Sequence, residues 1–169
     1  MPDAQPSPSD AESASESPVV TRKRPKPGER RIQILQALAE MLEQPGADRI
    51  TTAALAARLS VSEAALYRHF ASKAQMFVGL IEFIEQSVFT LVNQITESES
   101  DEAVAEPGGR QAARVIAMVL QFAEKNPGMT RVMVGDALVF ENARLQQRMN
   151  LFFDKIEASL RQLLRPTAD

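Results

Sequence analysis

Six polar side chains between residues 51 and 73 are of types that bind nucleic-acid phosphates and base edges. They are Thr51, Thr52, Ser62, Tyr67, His69 and Lys73. Hydroxyl, imidazole and ammonium groups hydrogen-bond to phosphate oxygens, and the first residues of a helix placed in the major groove meet the base edges. Ser62 is a helix N-cap by residue type, so Glu63 and Ala64 are expected to begin such a helix. This segment predicts a DNA-binding surface.

The residue content of the chain argues against an enzyme. The chain has no cysteine and a single histidine, His69. These numbers exclude disulfides, thiolate metal sites and Cys nucleophiles, and they leave His69 without a partner for a metal or a Ser–His system. We therefore expect no enzyme activity, no cofactor and no metal, and a helical enzyme is the weakest hypothesis.

Charge is distributed unevenly along a chain whose formal net charge is −3. Residues 1–21 contain four acidic residues and no base, residues 22–73 contain ten Lys/Arg against five Asp/Glu, and residues 74–169 contain nine bases against thirteen acids. The basic segment coincides with the predicted DNA-binding surface, and the local field, rather than the total charge, meets the phosphates.

Composition divides the chain into three parts. Residues 1–28 contain six prolines and many Ser, Ala and acidic residues, a composition typical of disorder. The basic stretch 22–26 is either a linker or an arm that contacts DNA. Residues 29–73 are expected to form a helix-turn-helix domain, and residues 74–165 a helical dimerisation and partner-binding domain. No stretch approaches the roughly 18 uncharged apolar residues of a membrane helix, and we expect a cytoplasmic, nucleoid-associated protein with no membrane partner.

Apolar residues recur with helical period throughout and predict an all-α fold. The expected helices are 29–44, 52–59, 63–70, 73–96, 110–125, 129–140 and 142–164, with an acidic loop at 97–109. The first helix has an apolar face formed by Ile32, Leu35, Leu38, Ala39 and Leu42. The last helix has a regular apolar seam that either covers the body or forms a symmetric dimer interface. It consists of Leu145, Met149, Phe152, Ile156, Leu160 and Leu163.

Residues 51–70 fit a helix-turn-helix in their small core and their turn. The inward-facing residues are expected to be Leu55, Leu59, Val61 and Leu66. Ala56 is small enough for the two helices to cross closely. Ser60 occupies the turn, where a left-handed backbone suits glycine better and costs another residue roughly 1 kcal/mol.

The stretch Leu66-Tyr67-Arg68-His69-Phe70-Ala71-Ser72-Lys73 resembles the TetR family of DNA-binding regulators. Further stretches extend the resemblance to the nucleoid occlusion factors within that family. They are residues 49–53, 61–70, 80–85 and 126–131, and the last two lie in the body, where TetR regulators diverge widely.

That resemblance implies a TetR-like homodimer that binds palindromic chromosomal DNA, with one or several dimers on each DNA site. It also implies that the DNA-bound protein inhibits assembly of the tubulin-like division protein FtsZ. The FtsZ C-terminal tail would lie between the fourth and fifth helices, in a groove lined by Phe83, Met118, Lys125 and Asn126. Leu91 and Gln121 stand where the family can place Arg and Gly.

A ligand-responsive TetR-type transcriptional repressor is the main alternative. In that case the body would hold a small molecule whose binding spreads the two DNA-binding heads. Polar groups pointing into the core would favour a ligand cavity, whereas the sequence pattern there is almost uniformly aliphatic, and we expect no small-molecule ligand. Glu82 and Glu85 are expected to be solvated, and Phe77, Phe83 and Phe89 could each belong to the core.

Overall fold

The computed structural model describes residues 25–44, 49–98 and 107–165, and within these ranges all regular structure is helical. The predicted all-α fold is confirmed. The helices are α1 (Pro27–Leu42), α2 (Thr52–Arg58), α3 (Glu63–Tyr67), α4 (Lys73–Glu97), α5 (Pro107–Lys125), α6 (Pro127–Met133) and α7 (Ala143–Leu163), with a short 3-10 helix at Asp136–Leu138.

Hydroxyl caps and one strained residue define the helix-turn-helix formed by α2 and α3. Thr51, Ser62 and Ser72 each accept a hydrogen bond from the amide three residues ahead, which fixes the starts of α2, α3 and α4. Ser60 has φ of 55°, so the left-handed turn expected at this position is present with a non-glycine residue. Leu55, Ala56 and Leu66 are buried beneath it, whereas Leu59 and Val61 are partly buried.

Helix α4 is the central element, and it packs against α1, α5, α6 and α7. Its buried side chains include Phe77, Leu80, Ile81, Ile84 and Val88. Among the described residues, α4 alone is long and apolar enough to cross a membrane by length and composition, and half of its most apolar stretch is buried inside the protein. This burial is what a core helix surrounded by four neighbours requires.

The head, α1 to α3, is joined to the body through α6 as well as through α4. Gly128 in α6 lies so close to α1 that a Cβ at this position would be 1.9 Å from the carbonyl oxygen of Ala39. Arg131 in α6 donates a hydrogen bond of 2.8 Å to the carbonyl of Leu42 at the end of α1. Only glycine allows this approach of the two backbones, which fixes how the head sits on the body.

Several predicted boundaries are wrong for identifiable reasons. Helix α5 begins at Pro107 rather than at residue 110, because proline is favourable at the first position of a helix. The predicted helix 129–140 ends at Met133, because Gly135 turns the chain with φ of 88° before the 3-10 helix. Helix α1 already includes Gly28, so the predicted tail 1–28 is too long, and its residues 1–24 lie outside the described residues.

Two apolar faces predicted from sequence can be compared with the structure. Ile32 is 45% exposed, and Ile34 takes its place in the buried face of α1. The seam of α7 points inward, with Leu145, Met149 and Phe152 buried and the rest of it partly buried. The seam packs at least in part against the chain's own body, as expected for a helix that covers it, and its role in a dimer interface stays a prediction.

Glu85 in α4 is not the solvated residue expected from its sequence position. Its carboxylate accepts two hydrogen bonds from the Arg148 guanidinium, at 2.5 and 3.0 Å, and lies 3.8 Å from the Lys155 ammonium. The hydrogen bond from Arg148 holds the pKa of Glu85 below its usual value despite the opposing effect of burial. The pair joins α4 to α7 across the body.

We predict that Glu85→Gln lowers the free energy of unfolding at neutral pH by roughly 1.5 to 3 kcal/mol, the range for a hydrogen bond to a charged group. Because the folded carboxyl has a lower pKa than the unfolded one, its stabilising effect is present at neutral pH and is lost as the pH falls through the folded value. Urea titrations at several pH values should therefore show that the difference in free energy of unfolding between the unchanged protein and the Glu85→Gln variant shrinks in acid. Glu97→Gln, an exposed position at the end of the same helix, is the matched control and should change stability little at any pH. A difference in free energy of unfolding that does not change with pH would contradict the prediction.

Candidate nucleic-acid interface

The start of α3 presents an exposed polar surface. Ser62, Glu63 and Ala64 are all exposed, as is Thr51 at the start of α2. The Oγ of Ser62 accepts from the Ala65 amide at 3.2 Å, and the Oγ1 of Thr51 accepts from the Ala54 amide at 3.1 Å. A hydroxyl that accepts in a cap still has its own O–H to donate, so both caps can also donate to a phosphate oxygen.

Glu63 and Thr52 connect the starts of α3 and α2. The Thr52 hydroxyl donates to the Glu63 carboxylate at 3.3 Å. This contact holds the first turn of α3 against α2 and leaves the other carboxylate oxygen available. A carboxylate in a major groove accepts from the N4 amino group of cytosine, so Glu63 can take part in base recognition.

Tyr67 and His69 lie at the other end of α3. Tyr67 is 44% exposed, with its phenol on the same helix as Ala64. His69 is partly buried, and its carbonyl accepts a hydrogen bond of 3.1 Å from the Arg31 guanidinium. Arg31 also lies over the Phe70 ring, with its central carbon 4.3 Å from the ring centre. These contacts attach the end of α3 to α1.

Lys73, the first residue of α4, forms an ion pair with Glu141. Its Nζ lies 2.7 Å from the Glu141 carboxylate, with side-chain exposures of 23% and 11% for Lys73 and Glu141. Glu141 comes just before α7 in the body, so the pair crosses from head to body. A phosphate that binds Lys73 must therefore share or displace Glu141.

A crevice between the start of α1 and α3 was missed in the sequence analysis. We call it the head crevice. It has a volume of about 440 Å³ and is lined by Pro25, Arg30, Ile34, Val61, Ala65, Leu66, Arg68 and His69. Arg30 and Arg68 are separated by 38 residues in sequence, so their meeting at one crevice could not be read from spacing. Arg68 nevertheless lies between two predicted site residues, Tyr67 and His69.

A second crevice lies at the junction of head and body, and we call it the junction crevice. Its volume is about 380 Å³, and its lining residues are Gln36, Ala39, Glu40, Glu43, Phe83, Asn126 and Met129. The structure brings together Phe83 and Asn126, two of the four residues predicted to bind a partner. Met118 packs partly buried against the core, and Lys125 is exposed at the end of α5. Neither lines the crevice. The contribution of α1 was not predicted.

The core of the body offers no polar group of the kind a ligand cavity would use. Among the described residues, no polar or charged side chain is buried. Over the same part of the chain, no three His, Cys, Asp or Glu side chains are grouped to hold a metal ion. Leu91 and Gln121, which differ from the resemblance described above, are both exposed.

Two family models match the chain, one in the head and one in the body. Residues 34–80 match the model described as bacterial regulatory proteins, tetR family. Residues 110–168 match the SlmA-like model described as a tetracyclin repressor-like C-terminal domain. The match in the body is specific, because it distinguishes one group among proteins that share the head.

Curated relatives agree over most of the chain. The nucleoid occlusion factor SlmA of Aliivibrio fischeri strain MJ11 is 55% identical over 142 residues, which cover 83% of this chain and 69% of the relative. The proteins of the same name from Photobacterium profundum and Vibrio cholerae are each 56% identical over 137 residues, covering 80% of this chain and 67% of each relative.

We predict that Lys73→Ala weakens binding to all DNA sequences alike and lowers the salt dependence by about one unit of logarithmic slope, as expected for one lost phosphate contact. Glu141→Gln should act in the opposite direction, because it releases the Lys73 ammonium from a competing carboxylate. Fluorescence anisotropy with specific and unrelated duplexes at several salt concentrations measures both effects.

Arg110→Ala is the matched control, since it removes an exposed cation at the start of α5, at the opposite end of that helix from the junction crevice. It should leave DNA affinity and slope unchanged. A Lys73→Ala protein with an unaltered slope would show that Lys73 only joins head to body.

Proposed function

Because the chain belongs to the SlmA group of nucleoid occlusion factors in the TetR family, we propose that it binds palindromic chromosomal DNA as a homodimer and, once bound, inhibits FtsZ ring assembly over the chromosome. The observation that carries the proposal is the 55% identity to a relative named for this role over 142 residues, which includes the body as well as the DNA-binding head. A DNA-bound protein of this kind acts in the cytoplasm, at the nucleoid.

For the DNA contacts we propose the exposed surface around the starts of α2 and α3. Thr51 and Ser62 would donate to phosphates, Thr52 would do so once its hydroxyl leaves the Glu63 carboxylate, and Glu63, Ala64 and Tyr67 would face the base edges. His69 and Lys73 would contact phosphates at the far end of α3. The support is that the caps hold this surface rigidly while leaving hydroxyl donors free.

For the FtsZ tail we propose the junction crevice, extended along α5 by Met118 and Lys125. Phe83 supplies an apolar surface there, and Asn126 supplies a polar one. Since Gln36 and Glu40 of α1 and Glu43 just after it form one wall, the crevice depends on how the head is placed against the body. Phosphates that draw Lys73 away from Glu141 would remove one of the contacts between head and body and so alter the crevice, which gives a physical route by which DNA could activate FtsZ binding.

The proposal is tested by sedimenting FtsZ polymers formed with GTP in the presence of this protein, with and without a palindromic duplex. We expect fewer polymers only when protein and duplex are both present. Phe83→Ala should abolish that effect while leaving DNA affinity unchanged. Polymer yields that do not respond to the duplex would contradict the proposed DNA-activated inhibition and favour the transcriptional repressor.

Two further variants make the result interpretable, because Phe83 also packs against the core. Lys125→Glu changes an exposed residue, so it should fold normally and still weaken binding of the FtsZ tail. Phe140→Ala removes a phenylalanine that is 63% exposed and does not line the crevice, so it should inhibit FtsZ normally. A normal effect of both Phe83→Ala and Lys125→Glu would place the tail elsewhere.

A further inference from the structure

The head crevice contains cations whose charge is not neutralised within the described part of the protein. Arg30 and Arg68 line it, and neither has a salt bridge or a side-chain hydrogen bond to any described residue. In contrast, Arg58, Arg131, Arg148 and Arg161 each pair with a carboxylate. The guanidinium groups of the crevice are therefore expected to attract anions.

The floor of the head crevice also favours apolar groups. The partly exposed Val61 and Ala65 contribute apolar surface beneath the cationic rim, with the almost fully buried Ile34 and Leu66 behind them. Such a surface suits an extended peptide that carries carboxylates among small apolar residues, because the backbone and methyl groups can lie on the floor while the carboxylates reach the guanidinium groups.

The chain itself contains a segment of this composition. Residues 1–21 carry Asp3, Asp10, Glu12 and Glu16 without any Lys or Arg, and the remaining residues are largely Ala, Ser, Pro and Val. The segment is covalently attached at the crevice, since Pro25 is one of the lining residues. Glu16 is nine residues from Pro25, so it can reach up to about 30 Å, far enough for any part of the crevice.

We propose that residues 1–21 dock in the head crevice and act as an intramolecular brake on DNA binding. The carboxylates of the segment bind the Arg30 and Arg68 side chains beside α3, where DNA phosphates would otherwise lie. Docking and DNA binding are mutually exclusive, so DNA must displace the segment. The effect on DNA affinity rests on the proposed function, whereas the docking itself does not.

Charge neutralisation provides the test variant. A chain carrying Asp3→Asn, Asp10→Asn, Glu12→Gln and Glu16→Gln keeps the length and nearly the shape of the segment but cannot pair with arginine. We expect it to bind a palindromic duplex about 5 to 10 times more tightly at low salt, which corresponds to a docked fraction of about 80 to 90% in the unchanged chain. The difference should disappear near 0.5 M salt, where the Debye length is only about 4 Å.

Docking is measured separately, in the absence of DNA, through the NMR signals of the His69 ring. His69 is the only histidine of the chain and lines the crevice. Its ring signals should differ between the unchanged and the charge-neutralised chain at low salt. Arg30→Ala combined with Arg68→Ala should remove that difference, whereas the control Arg110→Ala should preserve it.

These measurements separate the possible outcomes. Identical His69 signals in the two chains would overturn the docking, and any gain in DNA affinity would then be plain repulsion between the acidic segment and DNA. A difference that grows with protein concentration would assign the segment to a second copy and overturn the intramolecular brake. Loss of all specific DNA binding in every variant would count against the proposed function, while the His69 signals would still decide the docking.

Discussion

The burial of α4 is the constraint on which the rest of the structure depends. This helix of 25 residues is about 37 Å long at 1.5 Å per residue, and four other helices cover it. Its first residue, Lys73, belongs to the proposed DNA interface, and Phe83 and Glu85 lie further along it. Because one continuous packed helix carries all three, the DNA surface, the junction crevice and the pairing with α7 keep a fixed relation to one another.

Three additional contacts keep the head from turning about the start of α4. The backbones of α6 and α1 meet at Gly128, Arg131 reaches the carbonyl of Leu42, and Lys73 pairs with Glu141. The first is steric, and the second is a hydrogen bond from a guanidinium to a main-chain carbonyl, so neither uses a carboxylate that must be held in competition with phosphate. The third is an ion pair. Because the Glu141 carboxylate is only 11% exposed, removing its partner leaves a mostly buried charge unpaired and lowers the stability of the fold. Of the three contacts, this one alone competes directly with DNA phosphates.

Local features were predictable from sequence, whereas long-range ones were not. The caps at Thr51 and Ser62 and the left-handed Ser60 depend on a few neighbouring residues, so residue type was sufficient to locate them. The start of α5 and the turn at Gly135 were misplaced because Pro and Gly each fit both a helix end and a loop. The Glu85–Arg148 pair joins residues 63 apart, and no local pattern reveals such a contact. The contribution of α1 to the junction crevice was not predicted for the same reason, because α1 is far in sequence from the other residues that line it.

The distribution of ion pairs explains how a chain with a net charge of −3 can present a surface for DNA. In the body, basic side chains such as Arg131, Arg148 and Arg161 lie within 4 Å of carboxylates, so much of the body's charge is balanced over short distances. Fields of balanced pairs fall off quickly and are screened beyond a Debye length of about 10 Å. Arg30 and Arg68 have no such partner within the described part of the chain, so they add positive potential beside α3 whenever no other anion is bound to them. The sign of the field that DNA meets is set by which cations remain unpaired, and the total charge of the chain has little influence on it.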